Sequence, residues 1–265
     1  MIDIIKRNIK AKELLWNLVV KELKVRYKNS VLGFLWALLN PLLMMIVFTI
    51  VFSILMKGAI RQEHYPLFLL CGYLPWIFFN TSISESTTSI SLNGTLINKV
   101  YFPREFLPIS KTLSSLVNFI LSTSVLIPFL LIFGIKLKWY IIFLPIVIIL
   151  QLLFTIGLGL FFSSVNVFFR DVGNLIEILM LTWMFLTPLW YPIQLVKDSA
   201  PKYVYIYLLN PMASFVAVYR FILFNPDLEY ILSYATIVVT ISTFIFFFGG
   251  YWIFNRLEPD FAKEL

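Results

Sequence analysis

Six stretches almost free of Asp, Glu, Lys and Arg, each long enough to cross about 30 Å of hydrocarbon at about 1.5 Å per helical residue, constrain this chain more than any other feature. The spans they define run over about 31–56, 65–84, 112–135, 142–166, 177–196 and 231–254. Inside hydrocarbon every backbone polar group needs a partner within the protein, so the expected fold class is all-α: a polytopic membrane protein of six transmembrane helices. Composition agrees, because 60% apolar residues and a mean hydropathy of +0.89 leave too little polar surface to cover a water-soluble globule. Pro41, Pro75, Pro128, Pro145, Pro188 and Pro192 fall in the spans, and kinks are expected at them.

Orientation follows from charge. With the N-terminus inside, the cytoplasmic segments carry 14 Lys and Arg and the external ones 7, which puts both termini, including the tail 256–265, in the cytoplasm. The basic excess, 21 Lys and Arg against 14 Asp and Glu, therefore reads as topology and attraction to anionic headgroups rather than nucleic-acid binding. Residues 203–224 contain a further uncharged run, but it is short and broken at Asn210-Pro211. A re-entrant hairpin between spans five and six accounts for it, and the competing seven-span reading would move the C-terminus outside.

Residues 1–30 lack the apolar core of a cleavable signal. On a helical wheel Lys10, Glu13, Asn17, Lys21, Lys24 and Lys28 share one arc, and Leu15, Trp16, Leu18, Val19, Leu23 and Tyr27 spread over the other side. That is the pattern of an amphipathic interface helix lying along the membrane. Glu22 and Arg26 stand inside the apolar arc, which suggests contacts on a side facing protein.

Absent motifs limit the chemistry. No G-x-x-x-x-G-K-[ST] loop is present, so the chain has no Walker-type nucleotide site of its own. The single histidine, His64, stands in an external loop, and no paired acids suited to a metal diphosphate occur, which leaves catalytic and metal residues unassigned. Glu85 and Glu177 lie at span ends, and no ionisable group is read deep in a span, against an ion-coupled carrier. The lone Cys71 reads as a packing residue.

Two helical faces are rich in aromatic and polar groups: Tyr73, Trp76, Asn80, Ser84 and Thr87 in the second span, and Trp183, Thr187, Trp190 and Gln194 in the fifth. Either they pack between helices or they wall a path whose ring faces receive sugars. The cytoplasmic loop 87–108 carries Leu96, Ile97, Val100, Tyr101, Phe102 and Pro103, hydrophobes that call for either a docking partner or the membrane surface.

Three pieces in order then stand out: Arg26-Tyr27-Lys28-Asn29-Ser30 followed by Leu32-Gly33, Trp36 and Pro41; Asn98-Lys99-Val100-Tyr101-Phe102-Pro103; and Phe168-Phe169-Arg170-Asp171. With the six spans they resemble the ABC-2 type permeases that export polysaccharides such as O-antigen, capsule and teichoic acid, most of all the O-antigen permeases. The resemblance implies a permease homodimer with two copies of a soluble ATPase, which would bind the ATP and magnesium; this chain itself would carry no cofactor. It implies a substrate glycan on a polyprenyl diphosphate, with the diphosphate gate at Arg26, Tyr27, Lys28, Asn29 and Ser30. Channel lining falls to Trp36, Tyr73, Trp76, Asn80, Trp183, Thr187 and Trp190, and ATPase docking to the loop residues Leu96 to Pro103 named above. An ABC-2 exporter of a lipid or drug is the alternative within transport, and an integral membrane glycosyltransferase the alternative outside it.

Overall fold

The computed structural model describes residues 2–28, 30, 35–51, 64–99, 102–224 and 229–264, and among them there is no strand. The N-terminal helix α1 (Ile2–Tyr27) ends in Lys24 and Arg26, cations that complement the partial negative charge of a helix C-terminus. Next come α2 (Trp36–Phe48), with Pro41 inside it, and α3 (Tyr65–Thr88). α3 starts at His64, whose backbone is left-handed at φ 48°, and carries a proline in its first turn. It is the central helix: 72% of its most apolar stretch is buried, against 44% for Trp139–Phe168 and 28% for both Phe106–Ile132 and Ile231–Glu264.

A turn at Ser91–Asn93 leads to the short α4 (Gly94–Lys99), and α5 (Phe106–Ile132) runs back through the bundle. α5 stops at Gly134, which takes φ +81° while Ile135 N–H reaches the Leu130 carbonyl and Gly134 N–H the Leu131 carbonyl, the paired bonds of a glycine-terminated helix. α6 (Leu144–Phe168) follows a leading turn at Trp139–Phe143, and α7 (Val172–Phe185) packs on α3. Beyond a break come α8 (Ile193–Ser199), α9 (Val204–Leu208) and α10 (Pro211–Leu223), then α11 (Glu229–Leu257) and the terminal turn α12 (Phe261–Glu264).

α6 and α11 form the most extensive helix pair. They approach so closely at Gly157 and Gly250 that a Cβ on Gly250 would lie 1.9 Å from the Gly157 carbonyl oxygen. Small residues at such a crossing let backbones touch, which matters where hydrocarbon outside is as apolar as the interface.

Four described segments are long and apolar enough to cross a membrane: α3, α5, Trp139–Phe168 and Ile231–Glu264. The α9–α10 region, Pro201–Leu208 with Pro211–Leu223, forms a bent pair at 100°, a fifth crossing only if it is counted as one span. The bend is built by Asn210, whose side chain accepts the Met212 N–H at 3.0 Å, and by Pro211 in the first turn. α2 and α7, with 13 and 14 residues, are shorter than a full crossing, which needs about 20. Length alone thus reaches four or five spans among the described residues, and six is not established.

Two expectations need correcting. The fifth span was expected as one stretch over 177–196, but its helix starts at Val172 and stops at Phe185. Pro188 disfavours helical geometry at Thr187, and Pro192 brings no amide to a ladder, so the stretch breaks there. Pro145 sits in the first turn of α6, where its missing N–H costs nothing and no kink follows; Pro41, Pro75 and Pro128 do lie inside helices. The carbonyl of Pro75 accepts the Gln151 side-chain amide at 2.8 Å, one helix serving the other.

The loop between α3 and α5 also differs from its sequence reading. Ile97 is 6% exposed and packs with Ile90, Leu107, Leu160, Val167, Phe254 and Phe261, and the half-buried Phe102 leans on the same cluster. Ile97 is thus satisfied within the chain, which corrects its assignment to a partner surface, while Leu96 and Phe102 are half-buried. Arg104 fastens the loop further by donating to the Glu258 carbonyl at 2.6 Å, and the C-terminal α12 packs on α4. Leu92, 77% exposed, and the exposed Pro103 remain outward. Val100 and Tyr101 lie outside the described residues, as does Asn29.

Candidate functional site

The end of α1 is pinned against α3 and α5. The Arg26 guanidinium donates from Nη2 to both Glu85 carboxylate oxygens, at 2.6 and 2.5 Å, and to Ser115 Oγ at 3.2 Å. The next residue, Tyr27, donates its hydroxyl to Asn118 Oδ1 at 2.6 Å. Burial pushes the Tyr27 phenol up from its ordinary acidity, against the nearby Arg26 charge, so the hydroxyl stays a neutral donor at physiological pH. One turn earlier Glu22 accepts from Lys111 Nζ of α5. The odd polar pair of the apolar arc therefore faces protein, and Leu18 and Val19 are buried beside it. Trp16, 63% exposed, lies on the outside of the same helix.

Above this seam opens a cavity of about 460 Å³ between α1, α2, α3 and α5. Arg26 and Tyr27, with their partners Ser115 and Asn118, line it together with Ser30, Trp36, Asn40, Tyr73 and Thr81 and with apolar groups such as Leu74, Ile77 and Phe78. A guanidinium beside hydroxyls, amides and aromatic faces can hold an anionic group and stack against a polyhydroxylated one. On the other side of the Arg26–Glu85 pair lies a polar cleft of about 590 Å³ formed by the ends of α3 and α6 and the start of α7, lined by Glu85, Thr88, Asn166, Arg170, Asn174 and Glu177. Glu85 borders the cleft and Arg26 the cavity, so the ion pair links the linings of the two.

The sequence-assigned residues do not form one surface. Arg26, Tyr27, Ser30, Trp36 and Tyr73 meet at the cavity, and Lys28 is exposed at the end of α1. Trp76 and Thr187, expected to line a channel, are sealed inside the single chain at 1% and 0% exposure, a correction that a partner chain could only deepen. Trp76 packs on Phe79 at 5.7 Å because α3 is the central helix and has protein on nearly every side. Trp183 meets Phe79 edge-on at 5.2 Å and donates Nε1–H to Asn210 at 2.7 Å, so it faces the far hairpin and a groove there rather than the cavity. Trp190 lies beside Tyr73, with ring centroids 6.3 Å apart, and Asn80 is half-buried outside the cavity lining.

Sequence reasoning missed Ser115 and Asn118, which sit in an uncharged span with nothing to mark them, and did not pair Glu85 with Arg26. It also used Arg220 only as the end of an uncharged run, whereas that residue is 2% exposed.

Long apolar helices packed around a cavity that carries one guanidinium in its lining define a polytopic helical membrane protein. More particularly, residues 13–224 match the family described as ABC-2 type transporter, and the chain belongs to that family. It is 33% identical to the O-antigen export system permease protein RfbA of Myxococcus xanthus over the full length of both chains. A Klebsiella pneumoniae protein of the same name is 34% identical over 92% of each chain. The polysialic acid transport protein KpsM of Escherichia coli is 28% identical over 77% of this chain and 78% of its own.

Proposed function

We propose that this chain is the permease subunit of an ATP-driven exporter that carries polysaccharide linked to a polyprenyl diphosphate across the cytoplasmic membrane. What carries the reading is full-length likeness to O-antigen export permeases, and the cavity headed by Arg26 gives it a chemical place. Two permeases would flank the path, and two soluble ATPase subunits would bind ATP and magnesium on the cytoplasmic side, engaging the loop 87–108 through its outward residues such as Leu92 and Pro103. The chain has no Walker motif, so hydrolysis belongs to the partner.

In this reading the Arg26–Glu85 pair is a latch. A diphosphate arriving with Lys28 at the exposed end of α1 competes with the Glu85 carboxylate for the guanidinium, whose planar fork suits either anion. Exchange frees Glu85 and joins the polar cleft to the cavity, and the glycan follows past Trp36 and Tyr73 while the lipid tail stays in the bilayer. Deleting the gene in its host should abolish surface polysaccharide while lipid-linked glycan accumulates inside the cell; surface glycan at the parental level would refute the assignment.

Six spans with both termini cytoplasmic complete the proposal, counting the short α2 and the broken α7–α8 as membrane segments. Cysteines at the exposed positions 262 and 198 test it. Ala262→Cys should resist a membrane-impermeant thiol reagent in intact cells and Asp198→Cys should react; labelling at 262 would reverse the C-terminus.

A further inference from the structure

Arg220, at the end of α10, is 2% exposed, and among the described residues no carboxylate reaches it. Backbone carbonyls hold it instead. Nη2 donates to Leu189 at 2.6 Å, Nη1 to Pro188 and, at 3.4 Å, to Tyr191, and Nε to Phe68 at 3.3 Å. The guanidinium carbon lies 3.7 Å from the centroid of the Phe68 ring. Three of those carbonyls belong to the break between α7 and α8, where the two prolines leave acceptors without helical partners, a costly condition away from water. The fourth belongs to α3. One planar fork thus ties three elements together, which a lysine's point charge cannot reproduce.

Two further observations give this clamp its shape. Gly72 of α3 faces it: a Cβ there would lie 2.9 Å from Arg220 Nη2 and 3.0 Å from Val216 Cγ1, so the glycine leaves the slot into which the guanidinium fits. At the other end of α10, Asn210 donates to the Leu186 carbonyl at 3.0 Å and to Thr187 Oγ1 at 3.3 Å, and it accepts from Trp183. The hairpin is therefore fastened to the end of α7 at two points, at its bend through Asn210 and at its finish through Arg220. α7 begins at the polar cleft on the opposite face of the bundle, beside Asn174 and Glu177, so it connects that cleft to the hairpin.

We infer that Arg220 is a positioning residue that makes the α9–α10 hairpin, the broken end of α7 and α3 one closing body on the face away from α1, so that release of substrate requires this body to move as a unit. The inference rests on the exporter reading for its substrate but not for its leak. The test uses the permease with its ATPase in proteoliposomes, with Arg220→Lys, which keeps the charge and loses the fork, and Gly72→Ala, which keeps the arginine and presses on it. Three readouts are compared with wild type: passive escape of trapped calcein without ATP, and the maximum and half-saturation of ATP hydrolysis stimulated by lipid-linked glycan.

Both variants should raise calcein escape and lower the stimulated maximum about tenfold, the scale of losing one charge-assisted hydrogen bond, with half-saturation unchanged. Calcein escape at the wild-type level in both variants, with activity falling only in proportion to folded protein, would make Arg220 a stabilising residue alone and overturn the inference. A shifted half-saturation would overturn it too, placing Arg220 in substrate binding. Should Arg220→Lys fail to accumulate, Gly72→Ala decides. A wild-type complex that glycan does not stimulate would count against the exporter reading, while the calcein comparison still judges the clamp.

Discussion

Gly250→Ala and Gly157→Ala should each deprive the protein of its fold, while Gly249→Ala, one residue away, should be accepted. A Cβ on Gly250 would sit 1.9 Å from the Gly157 carbonyl oxygen, and one on Gly157 would sit 2.2 Å from the Phe246 carbonyl oxygen, whereas a Cβ on Gly249 meets nothing within 4 Å. Overpacking a core costs about 1–3 kcal/mol when side chains can yield. Here the obstacle is backbone on both sides, so α6 and α11 would have to separate along their length, and the loss should exceed that range. Yield and melting temperature of the detergent-purified protein measure it. A Gly250→Ala protein that melts with Gly249→Ala would show that the two helices do not meet as described.

The second large effect concerns the latch, and its signature is a pair of opposite shifts. In the proposed recognition step, Arg26→Gln removes the cation that would hold the diphosphate, and Glu85→Gln removes the anion that would compete for it. Hydrogen bonds to charged groups contribute about 1.5–3 kcal/mol, and about 1.4 kcal/mol is a tenfold change in an equilibrium constant. The glycan concentration giving half-maximal ATPase stimulation should therefore rise about tenfold or more in Arg26→Gln and fall by a similar factor in Glu85→Gln. A residue that served topology alone would leave both values where they were. Movement in the same direction would mean that the pair holds the fold and takes no part in recognition.

The helical class was readable because the uncharged runs are long and hydrocarbon permits few backbone solutions. The side of α1 that faces protein was readable too: Glu22 and Arg26 broke the apolar arc, and both prove to have partners on other helices. What sequence could not give is which face of a long apolar helix meets protein. Tyr73 and Trp76 are three residues apart on α3, and one opens into the cavity while the other is sealed, because α3 has neighbours on nearly every side. The same ambiguity misplaced Ile97. A hydrophobe in a loop between spans has two ways to leave water, a partner or its own chain, and the tail that supplies Phe261 lies more than 150 residues away in sequence. Arg220 shows the converse limit: a cation after an apolar run looks like a boundary unless the carbonyls freed by distant prolines are known to converge on it.

The most direct test of the whole account is transport itself, followed in inverted membrane vesicles that contain this permease and its ATPase. Lipid-linked polysaccharide supplied outside should become protected from a glycan-degrading enzyme only when ATP is hydrolysed, and Arg26→Gln should require more substrate to reach the same rate. Polysaccharide that stays fully digestible in the presence of ATP, or protection that proceeds equally without this chain, would contradict it.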